Sequence, residues 1–134
     1  MGLGVSTCIA DACALIDWYR GAARVPAGLR RQFGNSGHGT LVVATTIWEI
    51  ALKVSIGKLR GIVAPGFSSI GAMLRAEGFT LVAFDDAMAE QAANLPPLHR
   101  DPFDRALVAA AQHLGAIVLT NDAMISRYGV PVSW

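Results

Sequence analysis

Four carboxylates in this sequence occupy positions where chemistry could be assembled: Asp11, Glu49, Asp104 and Asp122. Asp11 and Asp122 each follow an apolar run and so stand at or just past the carboxyl end of an expected strand. Glu49 and Asp104 fall in the first turns of expected helices, and the helix of Glu49 directly follows a strand. In open parallel sheets, ligand sites form beyond the carboxyl ends of the strands, where the connections diverge. Carboxylates that meet there repel one another, by roughly 4 kcal/mol for a pair about 4 Å apart at an effective dielectric of about 20. A proton or a cation must resolve the conflict. A hard divalent ion, Mg2+ or Mn2+, suits an all-oxygen set, and no His or Cys cluster with ligand spacing competes for it. Such an ion polarises a phosphate, acidifies a bound water and stabilises a leaving oxygen, so the chemistry in view is phosphoryl transfer.

Each acid also has a plainer use. Thr46-Ile47-Trp48-Glu49 fits a capping box, in which Glu49 reaches back to the Thr46 amide. Asp101 reads as an N-cap rather than a ligand, and Asp104, three residues on, would favour a helix N-terminus through its dipole. Asp122 could cap a helix, and Asp11 could simply end a strand. Spacing alone leaves the two readings balanced.

The elements that must position these acids alternate between period-two apolar runs and helical patterns, which predicts an α/β layer structure with a mostly parallel sheet. Strands are expected over residues 5–10, 41–44, 79–84 and 116–120, with a possible fifth over 130–132, where Pro131 suits only an edge. Helices are expected over 12–19, 26–33, 47–55 and 65–77, with a short one from Asp85 or Asp86 to before Pro96-Pro97. Asp101-Pro102 opens a strong helix that runs to Leu114 and ends at Gly115. Asn121-Asp122 starts a final short one.

At 134 residues the chain fits one domain, spanning 1–134. Hydrophobic residues make up 53% and charged residues 16%, against roughly 25% charged in an average soluble domain. That surplus predicts apolar surface that meets a partner. No apolar run approaches the roughly 20 residues a membrane span requires. Met1-Gly2-Leu3-Gly4 lacks the basic start of a signal peptide. Cys8 and Cys13 read as reduced thiols of a cytoplasmic protein. A net charge of +1 excludes a global basic field, so any nucleic-acid contact must use a local patch.

Four blocks of sequence resemble the PIN-domain family, and within it toxins of the VapC type. Residues Ile9-Ala10-Asp11-Ala12-Cys13-Ala14-Leu15-Ile16 are similar to the family's opening segment. Thr45-Thr46-Ile47-Trp48-Glu49-Ile50-Ala51-Leu52-Lys53, continuing to Gly57-Lys58-Leu59, resembles its Trp-Glu-Ile-Ala stretch. Leu95-Pro96-Pro97-Leu98-His99-Arg100-Asp101-Pro102-Phe103-Asp104-Arg105 is similar to the most specific block, and Leu119-Thr120-Asn121-Asp122 with the stretch to Trp134 looks like the closing segment. The blocks fall in the family's order along nearly the whole chain.

The resemblance implies a three-layer α/β/α sandwich around a mostly parallel sheet of four to five strands, with an acidic pocket that binds Mg2+ or Mn2+. It implies endoribonuclease activity on RNA, inhibition by a cognate VapB-like antitoxin, and a homodimer. Carried over by position, Asp11, Glu49, Asp104 and Asp122 are the pocket acids, and Thr120 supports a carboxylate. Asp11 and Asp104 are expected to hold the principal metal, completed by Asp122 and Glu49. Lys53, Lys58, Arg60, Arg100 and Arg105 are candidate RNA contacts, each equally readable as a solvated charge. Lys53, one turn from Glu49, either stays at the pocket mouth or pairs with that acid. His99 is read as structural, His113 as solvated and His38 as a loop residue.

Two departures matter. Ala12 stands where the family carries Thr or Ser, and Cys13 where it carries His. Losing the hydroxyl keeps open a second function, a catalytically weakened module that binds antitoxin or nucleic acid without cutting. Asp17, where an apolar residue is usual, is read as a solvated helix position. A phosphatase or DNA nuclease of related architecture is a further alternative. No Gly-rich phosphate loop follows the first strand, which argues against a nucleotide-cofactor enzyme.

Overall fold

In a computed structural model that describes residues 7–134, the apolar runs form five short strands. These are Cys8–Ala10 (β1), Leu41–Val43 (β2), Thr80–Val82 (β3), Ile117–Leu119 (β4) and Val132–Ser133 (β5). They make one sheet in the order β3-β2-β1-β4-β5, and each neighbouring pair is parallel. Parallel neighbours need crossovers, and helices supply most of them. Ala12–Tyr19 (α1) and Ala27–Gly34 (α2) follow β1; Ala44–Ser55 (α3) and Ile70–Ala76 (α4) follow β2. Asp86–Ala93 (α5) and Pro102–Leu114 (α6) follow β3, and a 3-10 helix, Ala123–Tyr128, joins β4 to β5.

The chain therefore builds outward from β1 to β3, then returns to the other side of β1 to lay down β4 and β5. The direction of winding reverses between β1 and β4, the place where such sheets open a cleft.

Alternation along the strands explains the layers. Ala10, Val42 and Leu119 feed one buried cluster with Leu15 of α1, Leu29 and Phe33 of α2 and Leu74 of α4. Their neighbours Ile9, Val43 and Val118 feed the other cluster, with Met88 of α5 and Leu107, Val108 and Ala111 of α6. A strand buried on both faces reads as continuous apolar sequence, as these do. Ala106, Ala109, Ala110 and Ala111 are buried on α6, and small side chains there let the helix lie close to its neighbours.

Several expected boundaries shift. Helix α3 begins at Ala44 directly from the strand, with Val43 at the N-cap and no side-chain cap. Thr46 is thus inside the helix and buried, so the Thr46–Glu49 capping box does not form, and Glu49 lies beyond the first turn. The helix expected from Pro65 starts only at Ile70, capped by Ser69 through the Ala72 amide at 3.1 Å. Gly66 at φ +94° turns the chain out of helical conformation just after Pro65. The expected start of the first strand at residues 5 and 6 lies outside the described residues. Asp17 is buried rather than solvated: Arg24 grips both carboxylate oxygens, at 2.7 and 2.6 Å.

The amino ends of the strands are closed by a polar knot around His38. The Thr40 amide donates to Nδ1 at 3.2 Å, so the ring proton sits on Nε2, which donates to the Glu77 carbonyl at 3.1 Å. Gln32 donates to the Thr40 hydroxyl at 3.0 Å, and that oxygen lies 2.9 Å from Nδ1. The ring packs edge-on to Phe79 with centroids 4.5 Å apart. Gly78, at φ +94°, is required here, because a Cβ would stand 3.0 Å from the imidazole. Burial pushes the His38 pKa below its usual value.

Candidate metal centre

At the opposite, carboxyl end of the sheet the acids gather. Asp11 follows β1 and caps α1, its Oδ1 accepting the Ala14 amide at 2.7 Å. Thr120, which follows β4, is buried, and its hydroxyl serves two acids at once. It donates to the Asp11 carboxylate and accepts the Asp122 amide at 3.0 Å. Asp122 in turn caps the 3-10 helix through the Met124 amide at 2.9 Å. Helix α3 brings Glu49, paired with Lys53 at 3.1 Å, and α6 brings Asp104 in its first turn, after the N-cap Asp101 and Pro102.

Asp11, Glu49 and Asp104 line one recess with Thr46, Cys13 and Phe103. Its volume is about 20 Å3, room for about one ion or one water. Asp122 lies within electrostatic reach of both Asp11 and Asp104. Burial raises the Asp11 carboxyl above its ordinary range; its bonds to Thr120 and Ala14 oppose the shift, and Glu49 and Asp122 add to it. Asp104 is pushed up to about 6, first by burial and then by Asp101, with His99 pulling the other way. No hydrogen-bond donor holds the Asp104 carboxylate among the described contacts, and the nearest cationic group is the His99 ring at 3.9 Å.

His99 is the residue the sequence undervalued. Its Nε2 stands 3.5 Å from Asp122 Oδ2 and 3.9 Å from Asp104 Oδ2. Nδ1 lies 3.0 Å from the Tyr128 hydroxyl, and the two rings stack at 5.4 Å. Among the described residues, His99, Asp104 and Asp122 form the one cluster whose possible ligand atoms all lie within 4.8 Å. Asp11 and Glu49 are outside it, with oxygens committed to Ala14, Thr120 and Lys53. No His or Cys cluster was legible from spacing, yet one histidine and one cysteine come close to the acids in the fold. His99 faces them, and Cys13 lines their recess with a thiol pushed up by burial and by Asp11. Spacing along a chain does not reveal such meetings, because the histidine arrives from the loop before α6 while Asp122 arrives from β4. The signal available in the sequence was the proximity of His99 to Asp104 in one block.

The basic residues divide. Lys58, Arg60 and Arg100 are exposed. Arg105 is not free for a phosphate: its guanidinium donates to the carbonyls of Pro96, Ala92 and Leu95 at 2.9 Å and, at 3.4 Å, to those of His99 and Ala93.

The oxygen-rich donor set, with one imidazole and a carboxyl that resists ionising alone, fits a divalent cation. The family model described as the PIN domain matches residues 8–131. This chain belongs to the PIN-domain family. Its fold is also that of solved PIN-like structures. A toxin–antitoxin complex from Klebsiella pneumoniae is similar at TM-score 0.65 and 15% identity, covering 96% of this chain and 97% of that one. FitAB bound to an IR36 DNA fragment is similar at TM-score 0.66 and 14% identity, covering 95% and 94%. FitAcB from Neisseria gonorrhoeae is similar at TM-score 0.63 and 16% identity, covering 94% and 96%. None of the curated proteins compared matches the sequence. PIN domains are generally nucleases, which places the chain in a hydrolase family. Among the described residues, no helix of this PIN domain is long and apolar enough to cross a membrane.

Proposed function

We propose that this PIN domain is a divalent-metal-dependent endoribonuclease and the toxin of a VapBC-like pair. The observation that carries the reading is the gathering of Asp11, Glu49, Asp104 and Asp122 at the carboxyl end of the sheet, where burial and neighbouring acids raise the Asp11 and Asp104 carboxyls. Mg2+ or Mn2+, when bound, supplies a more acidic water and neutralises charge at the scissile phosphodiester. Asp11 and Asp104, which line one recess, would hold the principal metal, and Asp122 and Glu49 would complete the pocket directly or through water. Thr120 fixes the spacing of the first and last acids by bonding both. Lys53 keeps the Glu49 carboxylate turned along α3.

Beside the recess runs a groove of about 280 Å3, lined by Lys53, Lys58, Phe103, Leu52 and Ile56. Glu49 and Asp101 also line it and Lys53 is paired with Glu49, so Lys58 is the lysine left for a phosphate. Phe103, edge-on to Trp48 at 5.0 Å, offers a ring to an unstacked base. Single-stranded RNA fits this better than a duplex. Arg60 and Arg100, both exposed, extend the basic surface.

Trp48 and Leu52 on successive turns of α3 and Ile56 at its C-cap follow one another at four-residue spacing, and Trp48 is 62% and Ile56 57% exposed. Such a stripe calls for cover. The similarity to a toxin–antitoxin complex favours an antitoxin there, with a second copy of the chain as a further partner.

Purified protein incubated with structured RNA should cut it in Mn2+ or Mg2+ and stop cutting in chelator, and Asp11→Asn should abolish the activity. Equal cleavage by wild type and Asp11→Asn would sink the proposal. A second reading, binding without cutting, is favoured by Ala12, which is buried and brings no hydroxyl to the recess. Tight RNA or antitoxin binding with no metal-dependent cleavage would establish it.

A further inference from the structure

We infer that His99 is a metal ligand, so that the site takes a first-row transition ion such as Mn2+ or Zn2+ in preference to Mg2+. The inference rests on the metal-dependent reading above and goes beyond it, since that reading requires carboxylates alone.

The imidazole is built into place from behind and left open in front. Its side chain is 11% exposed, and Nδ1 is anchored by the Tyr128 hydroxyl while the ring lies against the Tyr128 ring. Nε2 then faces Asp122 and Asp104 at 3.5 and 3.9 Å, too far for strong hydrogen bonds. Ligand atoms this close surround a single ion with bonds of about 2.1 Å after small side-chain movements. A metal-bound histidine usually has its other ring nitrogen fixed by a hydrogen bond, and Tyr128 supplies that arrangement. Arg105 holds the His99 carbonyl and its neighbours, so the backbone beneath the ring is fixed as well.

A histidine with only a structural task would satisfy both ring nitrogens, as His38 does at the other end of the sheet. Here the second nitrogen meets two acids instead. Imidazole is a good ligand for Zn2+, is accepted by Mn2+ beside carboxylates, and is a poor one for Mg2+, which prefers oxygen and retains its waters.

The test is equilibrium binding of Mn2+, Zn2+ and Mg2+ to the full chain by calorimetry, with pulsed electron paramagnetic resonance of the Mn2+-loaded protein. Wild type should show 14N coupling from a directly bound imidazole and bind Mn2+ at least about tenfold more tightly than Mg2+. His99→Gln should lose the coupling and weaken Mn2+ and Zn2+ by about tenfold or more, with Mg2+ changed by less than about threefold. Tyr128→Phe, which keeps the imidazole, should retain the coupling and weaken Mn2+ by less than His99→Gln does. Because the coupling is read on wild type, misfolding of a variant cannot decide the matter. Metal binding without 14N coupling, abolished by Asp104→Asn but unchanged in His99→Gln, would overturn the role of His99 and leave the metal-dependent function standing. Failure of wild type to bind any of the three ions would overturn both.

Discussion

The two ends of the sheet each hold a half-buried histidine, and they are finished in opposite ways. At the amino end His38 meets an amide that can only donate and a carbonyl that can only accept, so one neutral tautomer satisfies everything around it. At the carboxyl end His99 has one nitrogen anchored and the other turned toward two acids, while Asp11 and Asp104 are lifted above their ordinary titration range. One end closes the fold. The other is left electrostatically incomplete, at a cost to stability that a ligand can repay.

The comparison breaks most visibly at Asp104. Asp104→Asn should lower cleavage by at least about a hundredfold. In chelator it should also raise the melting temperature by about 3 °C, because a half-buried carboxylate facing Asp101, Glu49 and Asp122 is gone. A loss of stability in that variant would mean that the carboxyl end is not strained. His38→Ala should do the reverse, costing about 2 kcal/mol in urea denaturation by orphaning the Thr40 amide and the Glu77 carbonyl. Its folded fraction should still bind Mn2+ like wild type. Thr120→Val should come next, weakening Mn2+ binding by about tenfold through loss of the hydroxyl that bonds Asp11 and the Asp122 amide.

The smallest effect is in pH. For His38 the folded value is lowered, so the unfolded chain takes up a proton first and stability falls as the pH drops below about 6.5. For Asp104 the folded value is raised from 3.8 to about 6, so the metal-free folded chain protonates first and gains stability as the pH falls from about 6 toward 4. The gain is about 1 kcal/mol for a partly solvated carboxylate. In chelator, Asp104→Asn should therefore steepen the loss of stability between pH 7.5 and pH 5, and His38→Gln should flatten it. Identical urea midpoints for the three proteins across that range would contradict the assignment.

Much of this was legible in the sequence because the governing interactions are local or periodic. The strand pairs Ile9 and Ala10, Val42 and Val43, Val118 and Leu119 each send neighbours to opposite layers, which is why their apolar runs read as buried strands. Helix α6 was legible at both ends, from the cap at Asp101 with Pro102 behind it to Gly115 at φ +63°. The acids were legible as strand-end and helix-start residues.

What escaped depended on partners brought together by folding. Asp17 reads as solvated until Arg24 wraps back onto it. Thr46 and Glu49 mimic a capping box because β2 passes into α3 without the cap that pattern presumes. His99 gives no hint in the sequence of the acids it faces, because Asp122 reaches it from beyond another strand. Arg105 looks like a phosphate contact because a guanidinium in a motif gives no hint that backbone carbonyls will claim it.

Arg105 also makes the loop before α6 portable. Its guanidinium gathers the carbonyls of residues 92–99 onto the same helix that presents Asp104. The backbone that carries His99 and Asp104 is thereby fixed within one short stretch of chain by a single side chain. A protein engineer could move residues 92–105 onto another parallel sheet and expect the backbone positions of His99 and Asp104 to arrive together. Asp122, and the Tyr128 ring and hydroxyl that anchor the imidazole, would have to be supplied by the new host.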